Sequence, residues 1–315
     1  MQYRRLGSSG LKVSELSLGS WLTYGNAIDN EVAAKTIDKA YELGINSFDT
    51  ADIYNFGEAE RVVGKALGKY ERGTYVLATK MWAPMSADPN DQGLSRKHIV
   101  ESANKSLKRL NTEYIDILYC HRYDPNTPVE ETVRALDDLI RQGKILYCGV
   151  SEWTAAQIQE AMRISDTLLI NRFVVNQPQY SMLYRNIESE IIPVCESNGI
   201  GQVVFSPLAQ GILTGKYKSV SDIPPDSRAA NDKMNFFMGG LLSDESLSKV
   251  GKLSAVAAKL GIPLPQLALA WILRLPNISS AIIGASRPAQ VEENVKASGY
   301  VLDREIIDEI EDILK

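Results

Sequence analysis

Only two histidines, His98 and His121, occur in this chain of 315 residues. That scarcity excludes a histidine-rich metal centre. The three cysteines, Cys120, Cys148 and Cys195, are odd in number and widely spaced. They form neither a disulfide framework nor a zinc-ligand pattern. No metal is therefore expected, and a reducing, cytoplasmic compartment is the simplest reading. Basic charge is also in short supply. The 34 Lys and Arg against 39 Asp and Glu leave a net charge of −5, which gives no nucleic-acid footprint. No apolar run approaches the length of a membrane span, so no membrane insertion is expected. The first residues, MQYRRLGSSG, carry two arginines without a following apolar stretch. That does not fit a signal peptide.

What the chain does have is alternation. QYRRL and LKVSE flank SSG and predict an N-terminal β-hairpin. Eight short apolar runs follow: LSLGSW, INSFD, TYVLATK, YIDILYCH, KILYCGVS, RFVVNQ, IGQVVFS and SSAIIGAS. Helical spacing separates them over 30–43, 57–67, 96–109, 128–143, 154–165 and 186–198, then 244–260 and 263–273. Two more helices, 288–296 and 303–314, close the chain. Gly44 suits a helix C-terminus. Thr127, Pro128 and Glu130 read as the start of one helix, and Thr154 with Gln157 as a capping box at another. Residues 207–243 show no clear element, and a loop of that length is usually functional or disordered.

Strands buried on both faces and alternating with amphipathic helices argue for a parallel sheet. Eight units fit an α/β fold, a (β/α)8 TIM barrel, with an N-terminal β-hairpin and extra C-terminal helices. No composition break divides residues 1–315, so a single domain is expected. The rival is an open doubly wound sheet. It would carry G-x-G-x-x-G in its first strand-to-helix turn, and LGSWLTYG does not match. QGILTGKY likewise fails the phosphate-loop pattern.

In such a barrel the active site lies at the C-terminal strand ends. Successive strands there close on Asp49, Lys80, His121, Ser151, Gln177, Phe205 and Gly284, and Tyr54 follows Asp49 on its loop. A buried lysine needs a partner, which Asp49 offers. A cation beside Tyr54 is expected to lower the phenol pKa and make it a usable acid. His121 would orient a carbonyl oxygen. No nucleophile–base pair is present, and neighbouring Cys120 points to the opposite face of the strand from His121. Taken alone, Asp49 also reads as a helix cap and Tyr54 as a surface aromatic. His98, in a first helical turn, reads as solvated.

FDTADIYNFGEAE, LATK, YIDILYCHRYD, NQPQY, FSPLAQGILTGKY, LPQLALAWIL and GASRPAQVEEN occur in this order. Through them the chain resembles the aldo-keto reductases, and within them the branch of potassium-channel β-subunits and their bacterial relatives. The resemblance implies a barrel whose hairpin closes the bottom. It implies reduction of small aldehydes and ketones with NADPH (NAD being possible), with Tyr54 as acid and Asp49, Lys80 and His121 in support. It places Ser151 and Gln177 on the nicotinamide carboxamide and Phe205 against the ring. Ser206, Leu208 and Gly211 would line the pyrophosphate path, with Lys216 and Arg228 as clamps. Ser286, Arg287, Gln290, Glu293 and Asn294 would hold the adenosine end, and Trp21 and Gly284 complete the cofactor contacts. Tyr24, Trp82 and Tyr123 are expected at the substrate, and Trp21 and Trp153, which also follow strand ends, are candidates for the same apolar wall. Glu152 and Gln290 depart from the common Asn and Arg of the family. The alternative is a low-activity nucleotide-binding partner protein, such as a channel β-subunit or redox sensor. The retained His121 and a chain that starts almost at the hairpin favour the enzyme. A homo-oligomer is compatible with the sequence.

Overall fold

The computed structural model describes residues 1–21, 24–25, 29–225, 227–231, 235 and 238–315. Short apolar runs become strands because their side chains find cover on both faces. Two strands, β1 (Tyr3–Arg5) and β2 (Lys12–Ser14), pair antiparallel. Eight more close a parallel barrel. In chain order they are β3 (Leu16–Gly19), β4 (Ser47–Asp49), β5 (Val76–Met81), β6 (Ile115–Cys120), β7 (Ile145–Ser151), β8 (Val175–Gln177), β9 (Gly201–Val204) and β10 (Ile278–Gly284), with β10 returning to β3. The expected (β/α)8 architecture with its hairpin is thus observed. Several strands are shorter than the sequence suggested, β8 most of all, since RFVVNQ supplies only three strand residues.

Helices α1 (Asn30–Glu42), α2 (Glu58–Leu67), α3 (Arg96–Leu110), α4 (Val129–Arg141), α5 (Ala155–Leu168) and α6 (Ile191–Ser197) connect the strands up to β9. Helices α7 (Asp244–Lys259) and α8 (Leu264–Leu273) precede β10, and α9 (Pro288–Asn294) and α10 (Arg304–Leu314) follow it. The Thr154–Gln157 capping box is formed in full. Thr127 does not cap α4: its hydroxyl donates to Asp124 Oδ2 at 2.7 Å, and Pro128 stands at the cap without a side-chain bond. Helix α6 begins at Ile191, five residues later than expected. Among the described residues, no single helix is long and apolar enough to cross a membrane.

Period-2 alternation divides the barrel residues between two cores. Phe48, Leu77, Leu118 and Val150 point outward into the layer beneath the helices. Val76, Ala78, Ile117, Tyr119, Val175, Val203 and Ile282 fill the barrel, where Leu6 and Val13 of the hairpin join them. The hairpin is held at the N-terminal rim. Arg4 donates to the carbonyls of Leu273, Leu275 and Ile278 and pairs with Glu15 at 2.8 Å. Glu15 in turn accepts from Ser298 Oγ and Gly299 N.

Gly149 on β7 shows how tightly the interior is filled. A methyl group there would lie 2.6 Å from the Val175 carbonyl oxygen and 2.9 Å from the Tyr119 ring. Backbone cannot yield as a flexible side chain can. Gly149→Ala is therefore expected to destabilise the fold by about 1–3 kcal/mol, the usual cost of overpacking. Urea unfolding of the two proteins checks this.

Candidate active site

The C-terminal strand ends open into a cleft of ≈ 940 Å³. β4 and β5 lie side by side, and both Asp49 and Lys80 turn inward. Lys80 is 1% exposed. Its ammonium donates to Asp49 Oδ1 at 2.5 Å, to the Thr50 carbonyl at 2.8 Å and to Tyr54 Oη at 3.2 Å. An ammonium has three donors, and all three are used. The phenol oxygen is therefore an acceptor toward Lys80, which leaves its own proton free to face the cleft. Gln177 on β8, diametrically opposite β4, donates Nε2 to Asp49 Oδ2 at 2.8 Å. The carboxylate is thereby held from both sides of the barrel.

His121 follows β6, with its ring centroid 5.8 Å from that of Tyr54. The Trp21 ring centroid lies 6.5 Å from that of the phenol. Burial pushes the His121 imidazole well below its ordinary pKa, and the cations of Lys80 and Arg122 push the same way. A neutral ring keeps one N–H to donate. For Tyr54 the net direction is up, against the sequence-based expectation. Burial raises the phenol most; Lys80 opposes this, and Asp49 adds to it. Taking a phenolate out of water costs more than one adjacent, already paired cation returns. Burial also disfavours the Lys80 ammonium, but Asp49 and Tyr54 outweigh it and the net shift is up.

The loop that carries Tyr54 is bent. Asn55 and Phe56 take left-handed backbone angles, as does Gly57. Asn55 Nδ2 donates to the Gly25 carbonyl and ties this loop to the one after β3. At the Gly57 α-carbon a side chain would meet Arg109, whose guanidinium pairs with buried Glu60 at 2.5 Å. Glu60 also accepts from Thr79 Oγ1, next to Lys80.

The rest of the cleft follows the strand order. Ser151 donates its hydroxyl to the Gln177 carbonyl at 2.8 Å. Phe205, Ser206, Leu208 and Gly211 line the wall after β9, with Lys216 and Arg228 beside them. Arg228 Nη1 donates to Gln210 Oε1, and Gln210 Nε2 to Ser206 Oγ at 2.5 Å. Gly284, Ser286, Arg287, Gln290, Glu293 and Asn294 line the far end. Gln290 Oε1 accepts from Ser286 N at 2.7 Å, so it closes the turn into α9. Tyr24 also lines the cleft; its hydroxyl is buried and unpartnered among the described residues. Sequence reasoning missed Asn55, Arg122, Gln179, Gln210 and Ser227, which line it as well. All five stand within four residues of a predicted site residue, which is a usable signal.

Two expected substrate residues are not on these walls. Tyr123 turns to the buried Trp153, with centroids 4.9 Å apart, and Trp153 packs on to Phe173. Trp82 packs against the outer core. His98 is not solvated: it is fully buried, because α3 lays its first turn under the loop holding Asp91. No group of three or more metal-ligating side chains gathers among the described residues.

The family model described as Aldo/keto reductase family matches residues 15–315. A probable voltage-gated potassium channel subunit beta from Arabidopsis thaliana is 44% identical over 321 aligned positions, covering 100% of this chain and 97% of the relative. The protein of the same description from Oryza sativa subsp. japonica gives the same figures. A putative voltage-gated potassium channel subunit beta from Schizosaccharomyces pombe is 44% identical and covers 99% of this chain and 93% of its own.

Asp52, on the Tyr54 loop, is buried and has one oxygen without a partner. Burial raises its carboxyl to about 7; Glu60 adds to this, while Ser102 and Arg109 oppose it. The folded state then holds a proton that the unfolded chain releases near pH 4. Stability is present in full below pH 4 and is lost as the pH rises through 7. Asp52→Asn should remove that loss and raise stability at pH 8 by on the order of 2 kcal/mol, with little gain at pH 4. Urea unfolding at the two pH values measures it.

Proposed function

Because the chain belongs to the aldo/keto reductase family, we propose that it is an oxidoreductase reducing aldehydes or ketones to alcohols with NADPH. The observation that carries this reading is the Lys80 ammonium, whose three bonds hold Tyr54 with its proton toward the cleft. The cleft suits a dinucleotide. Three cations, Lys216, Arg228 and Arg287, line its nucleotide half, and Ser227 Oγ is buried there without a partner among the described residues. Its size falls within the range of ligand pockets, up to about 1,000 Å³.

When bound, the reduced nicotinamide supplies the hydride. Phe205 would give it a flat apolar wall, with Trp21, Ser151 and Gln177 near the ring. The wall Ser206–Leu208–Gly211 with Lys216 and Arg228 would hold the pyrophosphate. Gly284, Ser286, Gln290, Glu293 and Asn294 would hold the adenosine end, and the exposed Arg287 suits a 2′-phosphate. The substrate oxygen would sit between Tyr54 and His121. The neutral imidazole donates one hydrogen bond and orients the carbonyl. As charge grows on the oxygen, the phenol proton crosses to it, and Lys80 stabilises the phenolate left behind. Asp49, gripped by Gln177, keeps Lys80 charged and in place. Tyr24 belongs to the substrate end of the wall.

Removing the acid tests this. Tyr54→Phe should lower kcat by roughly 10²–10⁴, while NADPH still binds in a fluorescence titration. Equal rates for the two proteins would sink the mechanism. The names of the relatives favour one other reading, a nucleotide-binding subunit of a membrane channel. It would bind NADPH stoichiometrically yet reduce no aldehyde in a broad panel. Titration with NADPH and NADH side by side decides the cofactor.

A further inference from the structure

Arg122 follows His121 on the turn after β6. It is half-buried and lines the cleft. One nitrogen, Nη1, donates to the His121 carbonyl at 2.5 Å and lies 3.5 Å from Ser151 Oγ. Among the described residues, Nε and Nη2 have no partner, and no carboxylate pairs with the guanidinium. Among the described residues, the two carboxylates lining this end are already engaged. Asp49 is held by Lys80 and Gln177, and Glu152 Oε1 accepts from Gln179 N at 2.7 Å. Arg122 is close enough to the reacting groups to make both the His121 imidazolium and the protonated Tyr54 less favourable. It therefore acts at the substrate end and not among the nucleotide-end cations on the loops after β9 and β10.

A guanidinium with one nitrogen anchored and its remaining edge open presents two parallel donors. That geometry matches a planar carboxylate. We propose that Arg122 makes the cleft selective for carbonyl compounds bearing a carboxylate a short chain away from the reacting carbon. The proposal rests on the reductase reading above. A neutral substrate of the same length would leave the cation without a counter-ion and gain nothing from it.

The experiment compares 4-oxobutanoate and 5-oxopentanoate with their methyl esters, using NADPH and full-length protein. The ester keeps the carbon chain and removes the charge. Wild type should prefer acid to ester in kcat/KM by about ten-fold or more, the size of a charge-assisted hydrogen bond, chiefly through KM. In Arg122→Gln the ratio should fall close to parity, and Arg122→Lys should recover part of it. The ratio carries the result, because any general loss of fold or rate affects acid and ester alike. A wild type that reduces esters as well as acids, or a preference that survives Arg122→Gln, overturns the proposal and leaves the reductase reading standing. No reduction of acids, esters or a wider panel of neutral aldehydes overturns both.

Discussion

A lysine ammonium lies inside a closed barrel, and the geometry of the cleft depends on how it is accommodated. An ion removed from water costs several kcal/mol unless its bonds are replaced. All three bonds of Lys80 are replaced, and all by the stretch from Asp49 to Tyr54. Strand β5 could not bury this lysine without the β4 loop, and the loop would have no fixed course without the lysine. Gln177 extends the chain of bonds across the barrel to β8. The phenol is thus positioned by strands on opposite sides of the fold and not by its own loop alone.

The cleft is closed from below by the same alternation that turns Asp49 and Lys80 inward. Tyr119 pairs in register with Lys80 on one side and Gly149 on the other, and its ring fills the interior beneath them. Leu6 and Val13 seal the far end. Among the described residues, Tyr54 lines the cleft that opens at the C-terminal rim. Along that rim the charges are divided, with Lys216, Arg228 and Arg287 on the β9 and β10 loops and Arg122 beside His121.

The order of strands and the polar residue ending each were legible because a buried parallel strand needs an apolar run and a barrel rim needs a stop. The residues brought around the cleft followed from that alone for Asp49, Lys80, His121, Ser151 and Gln177. Tyr123, Trp153 and Trp82 were not legible. An aromatic residue after a strand can turn to the cleft or to the layer of helices, and only packing against Phe173 and the outer core decides. Thr127 fits a cap motif, yet Asp124 competes for its hydroxyl. His98 carries no sequence mark of burial, since nothing in the residue types shows that the loop leading into α3 folds back over its first turn. The direction of the Tyr54 shift depends on how much water the phenol loses, which residue types alone do not state.

Strained backbone on both sides of the cleft shows where the rigid barrel ends. Asn55 and Phe56 on one side, and Ser206, Ala209 and Gln210 on the other, all take left-handed angles without being glycine. Each such residue costs roughly 1–2 kcal/mol. The cost is met locally, because each loop spends side-chain hydrogen bonds on its own neighbours: Asn55 to Gly25, Gln210 to Ser206, Arg228 to Gln210. These bonds join the loops that form the walls of the cleft. Bonds of this kind order the described parts of the walls that they join. The ordering has been done in folding, so binding energy need not be spent on it. On the proposed reductase reading, such a wall would hold a long, charged cofactor above Tyr54, where a small change in distance would decide whether the phenol proton is delivered.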